Sequence, residues 1–144
     1  MPEGHEIAMA LRTAYLAMHR QANLAFEPGE ITADQFVVLY ALAEYDSSTQ
    51  QELALRASCD PNTLRAMLIL LEKRDLIRRS PHPTDRRARC VSLTDAGKLK
   101  VTSSLTSSER FRICLKNVLP PEEAATLVEL LTRIMVAMSP KNES

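Results

Sequence analysis

The sequence predicts a mainly α-helical chain carrying one small β-hairpin. Helix-start signals recur along it, each followed by an apolar stripe: Thr32 with Gln35, Thr49 with Glu52, Asp60 with Pro61, and Thr94 with Asp95. Two short arms, Leu76–Ser80 and Ala88–Leu93, alternate apolar or β-branched residues with arginine or serine, the period of a strand with one buried face. Pro81 and Pro83 cannot donate to a ladder, so they are assigned to the connection between the arms.

Taken in order, Ile7, Leu11, Ala14, Tyr15 and Met18 recur at helical spacing and predict a first helix from about Glu3 to Ala25. Phe26–Ile31, with Pro28 and Gly29, is a break. Thr32 opens a second helix whose expected apolar stripe is Phe36, Leu39, Tyr40 and Ala43, and Glu44–Ser48 reads as a turn. Thr49 caps a short helix carrying Leu53, Ala54 and Ala57. After the tight connection Arg56–Cys59, Asp60 caps the next helix, whose buried face is Leu64, Met67, Leu68 and Leu71 and which ends near Arg74–Asp75. The hairpin follows, and Thr94 then caps a helix expected to run unbroken to about Val118. Leu119–Pro121 breaks it. The last helix carries Glu122 and Glu123 in its first turn and a stripe of Leu127, Leu130, Leu131, Ile134 and Met138.

Composition narrows the classes. The 144 residues are 45% apolar and 25% charged, a single domain's length with enough apolar content for a core. Net charge is zero, yet Lys73 to Lys100 holds nine basic residues against three acidic ones. That asymmetry describes one polyanion-facing surface on a neutral body. The three cysteines, Cys59, Cys90 and Cys114, have no metal-ligand spacing and form no evident disulfide framework. The longest apolar run, Ala66–Leu71, is too short for a bilayer, and no signal peptide is read, so a cytoplasmic location and no membrane are expected. His5, His19 and His82 lack a Ser, Cys or carboxylate constellation and no phosphate-cradling loop exists, so neither an enzyme nor a cofactor is expected.

Two short capped helices joined by a tight turn and followed by a basic hairpin make the plan of a winged helix-turn-helix. From Thr49 to Gly97 the chain resembles the MarR family of bacterial transcription regulators. The resemblance rests on Glu52-Leu53-Ala54, Thr63-Leu64, Leu71-Glu72-Lys73-Arg74, Leu76-Ile77-Arg78-Arg79, Asp85-Arg86-Arg87 and Val91-Ser92-Leu93-Thr94-Asp95-Ala96-Gly97. It implies a single domain over 1–144, with a DNA-binding lobe at 31–99 flanked by dimerisation helices at 1–30 and 100–144. The implied function is a homodimeric repressor of double-stranded DNA. Asp75 stands where the family usually has a helix-ending glycine, and aspartate is expected to adopt the left-handed geometry there. Ala66, Ile69 and Leu70 are apolar where the family often carries charge.

At the start of the recognition helix, Asn62, Thr63 and Arg65 suit base edges in the major groove. Thr49 and Gln50, at the preceding helix N-terminus, suit a phosphate. The resemblance assigns Arg87 to the minor groove with Asp85 holding its guanidinium, and Arg86 and Arg89 to phosphates. It also implies a small aromatic or phenolic effector, for which Tyr15, His19, Phe36 and Tyr40 are the candidate lining. For each of the four, the plainer reading is core packing. Two other readings stand beside this one. Oxidation of Cys59 or Cys90 would disturb the DNA-binding lobe, making a thiol-responsive regulator. An apolar recognition helix would also suit a winged-helix module that binds protein.

Overall fold

The structure, a computed structural model, describes residues 1–26 and 28–140. Glu27, inside the expected break, and residues 141–144, at the end of the expected dimerisation segment, lie outside the described residues. The elements run α1 (Gly4–Leu24), α2 (Ala33–Glu44), β1 (Ser48–Thr49), α3 (Gln50–Arg56), α4 (Pro61–Lys73), β2 (Ile77–Pro81), β3 (Arg89–Leu93), α5 (Asp95–Ser107), α6 (Glu109–Asn117) and α7 (Pro121–Met138). The chain divides into two compact units, one ending at Ser108 and one beginning at Glu109.

In the first unit the expected caps form. Thr32 and Thr49 each accept from the third helical amide, while Gln35 and Glu52 reach back to the capping amides. Asp60 caps α4 through the Thr63 amide at 3.0 Å. Between α3 and α4 the chain reverses at Ser58, whose φ of 52° lies in the left-handed region. Cys59 N–H then donates to Ala54 O at 3.0 Å, satisfying a carbonyl at the end of α3. Asp75 takes the left-handed φ of 59° expected of it.

The hairpin belongs to a three-stranded antiparallel sheet ordered β1-β3-β2. The two-residue β1 lies in what the sequence suggested was a turn, with Ser48 opposite Val91 and Thr49 opposite Cys90. So short a strand carries no alternation to read. Pro81 is also not in the connection: it closes β2 opposite Arg89. The strand order explains this, because β2 is an edge and a missing N–H there breaks no second ladder.

The core joins Val38, Leu39 and Leu42 of α2 to Leu53 of α3, Leu64, Leu68 and Leu71 of α4, Ile77 and Val91 of the sheet, and Val101 of α5. The buried face of α2 differs from the expected stripe: Tyr40 and Ala43 are exposed and Phe36 is half-buried. That helix is apolar almost all round, so its period does not single out a face. Gly97 is required by a close approach. A Cβ there would lie 2.0 Å from Leu76 O, the carbonyl that accepts from Thr94 N.

The helix expected from Thr94 to Val118 is broken at Ser108, between α5 and α6. Thr102, Ser103, Thr106, Ser107 and Ser108 all bond their hydroxyls back to carbonyls three or four residues earlier. Such back-bonding competes with the helix ladder and bends it. α1, α6 and α7 bury no residue of their own. The expected α7 stripe is folded as predicted yet exposed, with Leu127, Leu130 and Leu131 all above 39% accessible. No described helix is long and apolar enough to cross a membrane.

Candidate nucleic-acid interface

The sheet and two capped helices bring six of the predicted residues to one groove. Thr49, Gln50, Arg65, Asp85, Arg87 and Arg89 line a space of about 700 Å³ between α3, α4 and the hairpin. Asn62, Thr63 and Arg86 do not line it. All three are exposed, the first two on the first turn of α4 and the third at the hairpin tip. Sequence reasoning missed Gln51, Glu52, Leu55, His82 and Ala88 as lining residues. His82 carried a signal of its own, a histidine between two prolines at a turn.

Local bonds decide which of these side chains are free. The Thr63 hydroxyl donates to Asp60 at 3.0 Å and is thereby committed to the cap. Bonds from Thr63, led by its amide, hold the Asp60 carboxyl below the usual carboxylate range. Thr49 is likewise occupied by its capping box, and its hydroxyl and amide keep the Glu52 carboxyl low. Arg56 backs this corner: it bonds Ser48 Oγ, pairs with Glu52 at 3.3 Å, and stacks over the Tyr45 ring at 3.7 Å. Arg65 Nη1 lies 3.5 Å from Asn62 Oδ1, too long to hold it firmly, so its guanidinium remains available to the groove.

In the hairpin, Arg79 is withdrawn from the basic set. Its Nε and Nη2 donate to the two Glu72 carboxylate oxygens at 3.0 and 2.9 Å, which holds the Glu72 carboxyl low and raises the Arg79 guanidinium. Asp85 does not hold the Arg87 guanidinium as expected; it bonds the Arg87 backbone instead. Its Oδ1 accepts from the Arg87 amide at 3.0 Å, and no Asp85–Arg87 ion pair forms among the described residues. A carboxylate folded into its own turn saturates the nearest amide before a mobile guanidinium. The Arg87 side chain is left exposed at the groove.

The four candidate effector residues form two pairs. Tyr15 stacks on His19 with ring centroids 5.4 Å apart, and Phe36 lies 5.8 Å from Tyr40. No ring contact joins the pairs among the described residues. His19 Nε2 lies 3.1 Å from Asp34 and its Nδ1 3.4 Å from Asn23, whose Oδ1 accepts from Ala33 N at 2.8 Å. These bonds stitch α1 to the first turn of α2. Phe26, which the sequence reading passed over, packs on Phe36 at 5.6 Å. Burial, with help from Asp60 and Asp34, pushes the Cys59 thiol up.

Residues 31–88 match the model of the MarR family. Wild-type MarR from E. coli in its apo form is 30% identical, with 93% of this chain and 97% of that one aligned at a TM-score of 0.70. The chain belongs to the MarR family. A mutant of E. coli MarR complexed with operator DNA is 28% identical and reaches a TM-score of 0.81 over 89% of this chain and 92% of that one. The HTH-type transcriptional repressor NicR of Pseudomonas putida is 29% identical over 133 residues, 90% of this chain and 82% of the relative. BpsR of Bordetella bronchiseptica, whose DNA binding is regulated by 6-hydroxynicotinic acid, is 28% identical with a TM-score of 0.82, over 90% of this chain and 98% of that one. Membership makes this chain a winged helix-turn-helix, DNA-binding transcription regulator, with the small sheet as its wing.

Proposed function

We propose that the chain acts as a homodimeric repressor on a pseudo-palindromic operator, with half-sites about one helical turn apart. The observation that carries this reading is the convergence of Arg65 from α4, Arg87 from the wing tip and Arg89 from β3 on one groove. Arg65 would read a guanine edge, Arg87 would enter the minor groove, and Arg86 and Arg89 would hold phosphates. Thr63 keeps a capping role and Asn62 the adjoining base contact. The dimer would be built by the helices of 1–30 and 100–144, a reading supported by the absence of any buried residue in α1, α6 and α7.

Release would follow binding of a small aromatic acid or phenol beside Tyr15, His19, Phe36 and Tyr40. The 6-hydroxynicotinic acid of BpsR supports an effector of that class. A second reading, docking to a protein, is favoured by Leu55 at 77% and Leu70 at 51% accessible on α3 and α4.

Gel shift against the promoter region beside the chain's own gene tests the proposal. Nanomolar, salt-sensitive binding is expected. Arg65→Ala should cost about 1–3 kcal/mol and relax one base position, while Arg86→Ala should weaken all sequences alike and lower the salt slope by about one. Absence of any shift, with Arg65→Ala and Arg87→Ala indistinguishable from wild type, would sink the DNA reading in favour of the protein one.

A further inference from the structure

In the wing tip a single imidazole nitrogen collects three donors. His82 Nδ1 lies 3.0 Å from the Asp85 amide, 3.2 Å from the Thr84 amide and 3.3 Å from Thr84 Oγ1. Both amides can only donate, so Nδ1 must be the unprotonated acceptor and the ring proton sits on Nε2. The same loop is closed at its base by His82 N–H to Ala88 O and by Ala88 N–H to Asp85 O, each at 3.2 Å. Asp85, with its amide fixed by the imidazole, aims its carboxylate at the Arg87 amide. The order of support therefore runs from His82 to Asp85 to Arg87. His82 is half-buried in the groove while Arg87 is exposed, so the first is placed to hold and the second to reach.

We propose that His82 is the positioning residue of the wing: its bare Nδ1 fixes the turn that presents Arg87 to DNA. The proposal rests on the reading of the wing as a DNA contact. What the position needs is an acceptor one bond from Cγ. Asparagine supplies one in Oδ1 without the ring, phenylalanine supplies a ring without the acceptor, and glutamine places the acceptor one carbon too far.

Four variants, His82→Asn, His82→Gln, His82→Phe and His82→Ala, would be measured by fluorescence anisotropy on an operator duplex, each checked for wild-type melting. Asn should stay within about threefold of wild type, while Gln, Phe and Ala should each lose about tenfold, as expected for two or three turn bonds left unmade. Phe binding like wild type, or Asn binding as weakly as Ala, would overturn the proposal. A readout independent of DNA comes from the imidazole nitrogens, where two-bond nitrogen–proton spectra should show Nε2 protonated and Nδ1 bare. A proton on Nδ1 would refute the latch directly. If Arg87→Ala binds like wild type while the spectra show the latch, the reading of the wing as a DNA contact is what has failed.

Discussion

Glu72 and Arg79 form a two-pronged ion pair that ties α4 to β2 of the wing, with both nitrogen–oxygen distances at or under 3.0 Å. Both residues are partly solvent-exposed, so the pair adds little to stability and much more to geometry. It fixes the spacing between two elements that the proposed function sets against one duplex. Arg79→Lys keeps the charge but cannot make the fork, and Glu72→Gln removes the charge. Either change is expected to weaken operator binding by about two- to fivefold, and the double variant to be no weaker than either single one. Anisotropy titrations on the four proteins give the coupling directly.

Acid should loosen the compact unit that ends at Ser108. Glu30 is held low by the Lys100 ammonium, Glu52 by Thr49, Asp60 by Thr63 and Glu72 by Arg79. Each carboxyl has a folded pKa below its unfolded one, so its contribution is present above the unfolded value and is lost as pH falls through the folded one. The melting temperature should be flat from neutrality to about pH 5 and fall below about pH 4. Glu72→Gln should make that acid limb shallower. A limb of unchanged steepness would count against the assignment.

The junction between wing and α5 is the least forgiving part of the lobe. Buried Thr94 accepts from the Gly97 amide at 3.0 Å and donates to Asp75 O at 2.6 Å. Thr94→Ala is expected to cost about 1–2 kcal/mol in urea unfolding, the ordinary value of a lost cap. Gly97→Ala should cost at least about 3 kcal/mol, because the obstacle is the Leu76 carbonyl and not a side chain that can turn away.

Thiol labelling should rank the cysteines by surroundings. Cys114 is exposed, while Cys59 is half-buried with its thiol pushed up. Near neutrality Cys114 should label first. Cys59 should label slowly, with its rate still rising above the ordinary thiol range. Cys59 labelling as fast as Cys114 would restore a redox role to it.

Much of this was legible in the residues. The caps at Thr32, Thr49, Asp60 and Thr94 announce themselves because each needs a particular side chain at a particular offset. The wing's arms and its Asp85-Arg86-Arg87 tip were equally plain. Other features were not, and three of them show why. The strand Ser48–Thr49 has too few residues for any period, and only its partner in β3 defines it. The break at Ser108 is a cumulative effect of hydroxyl back-bonding, with no Gly or Pro to mark it. The role of His82 depends on which ring nitrogen faces the turn, a fact that exists only once the loop has closed.

Every bond that shapes the wing tip begins and ends within His82–Ala88. Seven residues thus carry the hydrogen bonds of their own turn, with His82 half-buried against the groove below. Such a loop is portable: spliced between the arms of another antiparallel hairpin, it should close into the same shape and present its arginine in the same direction.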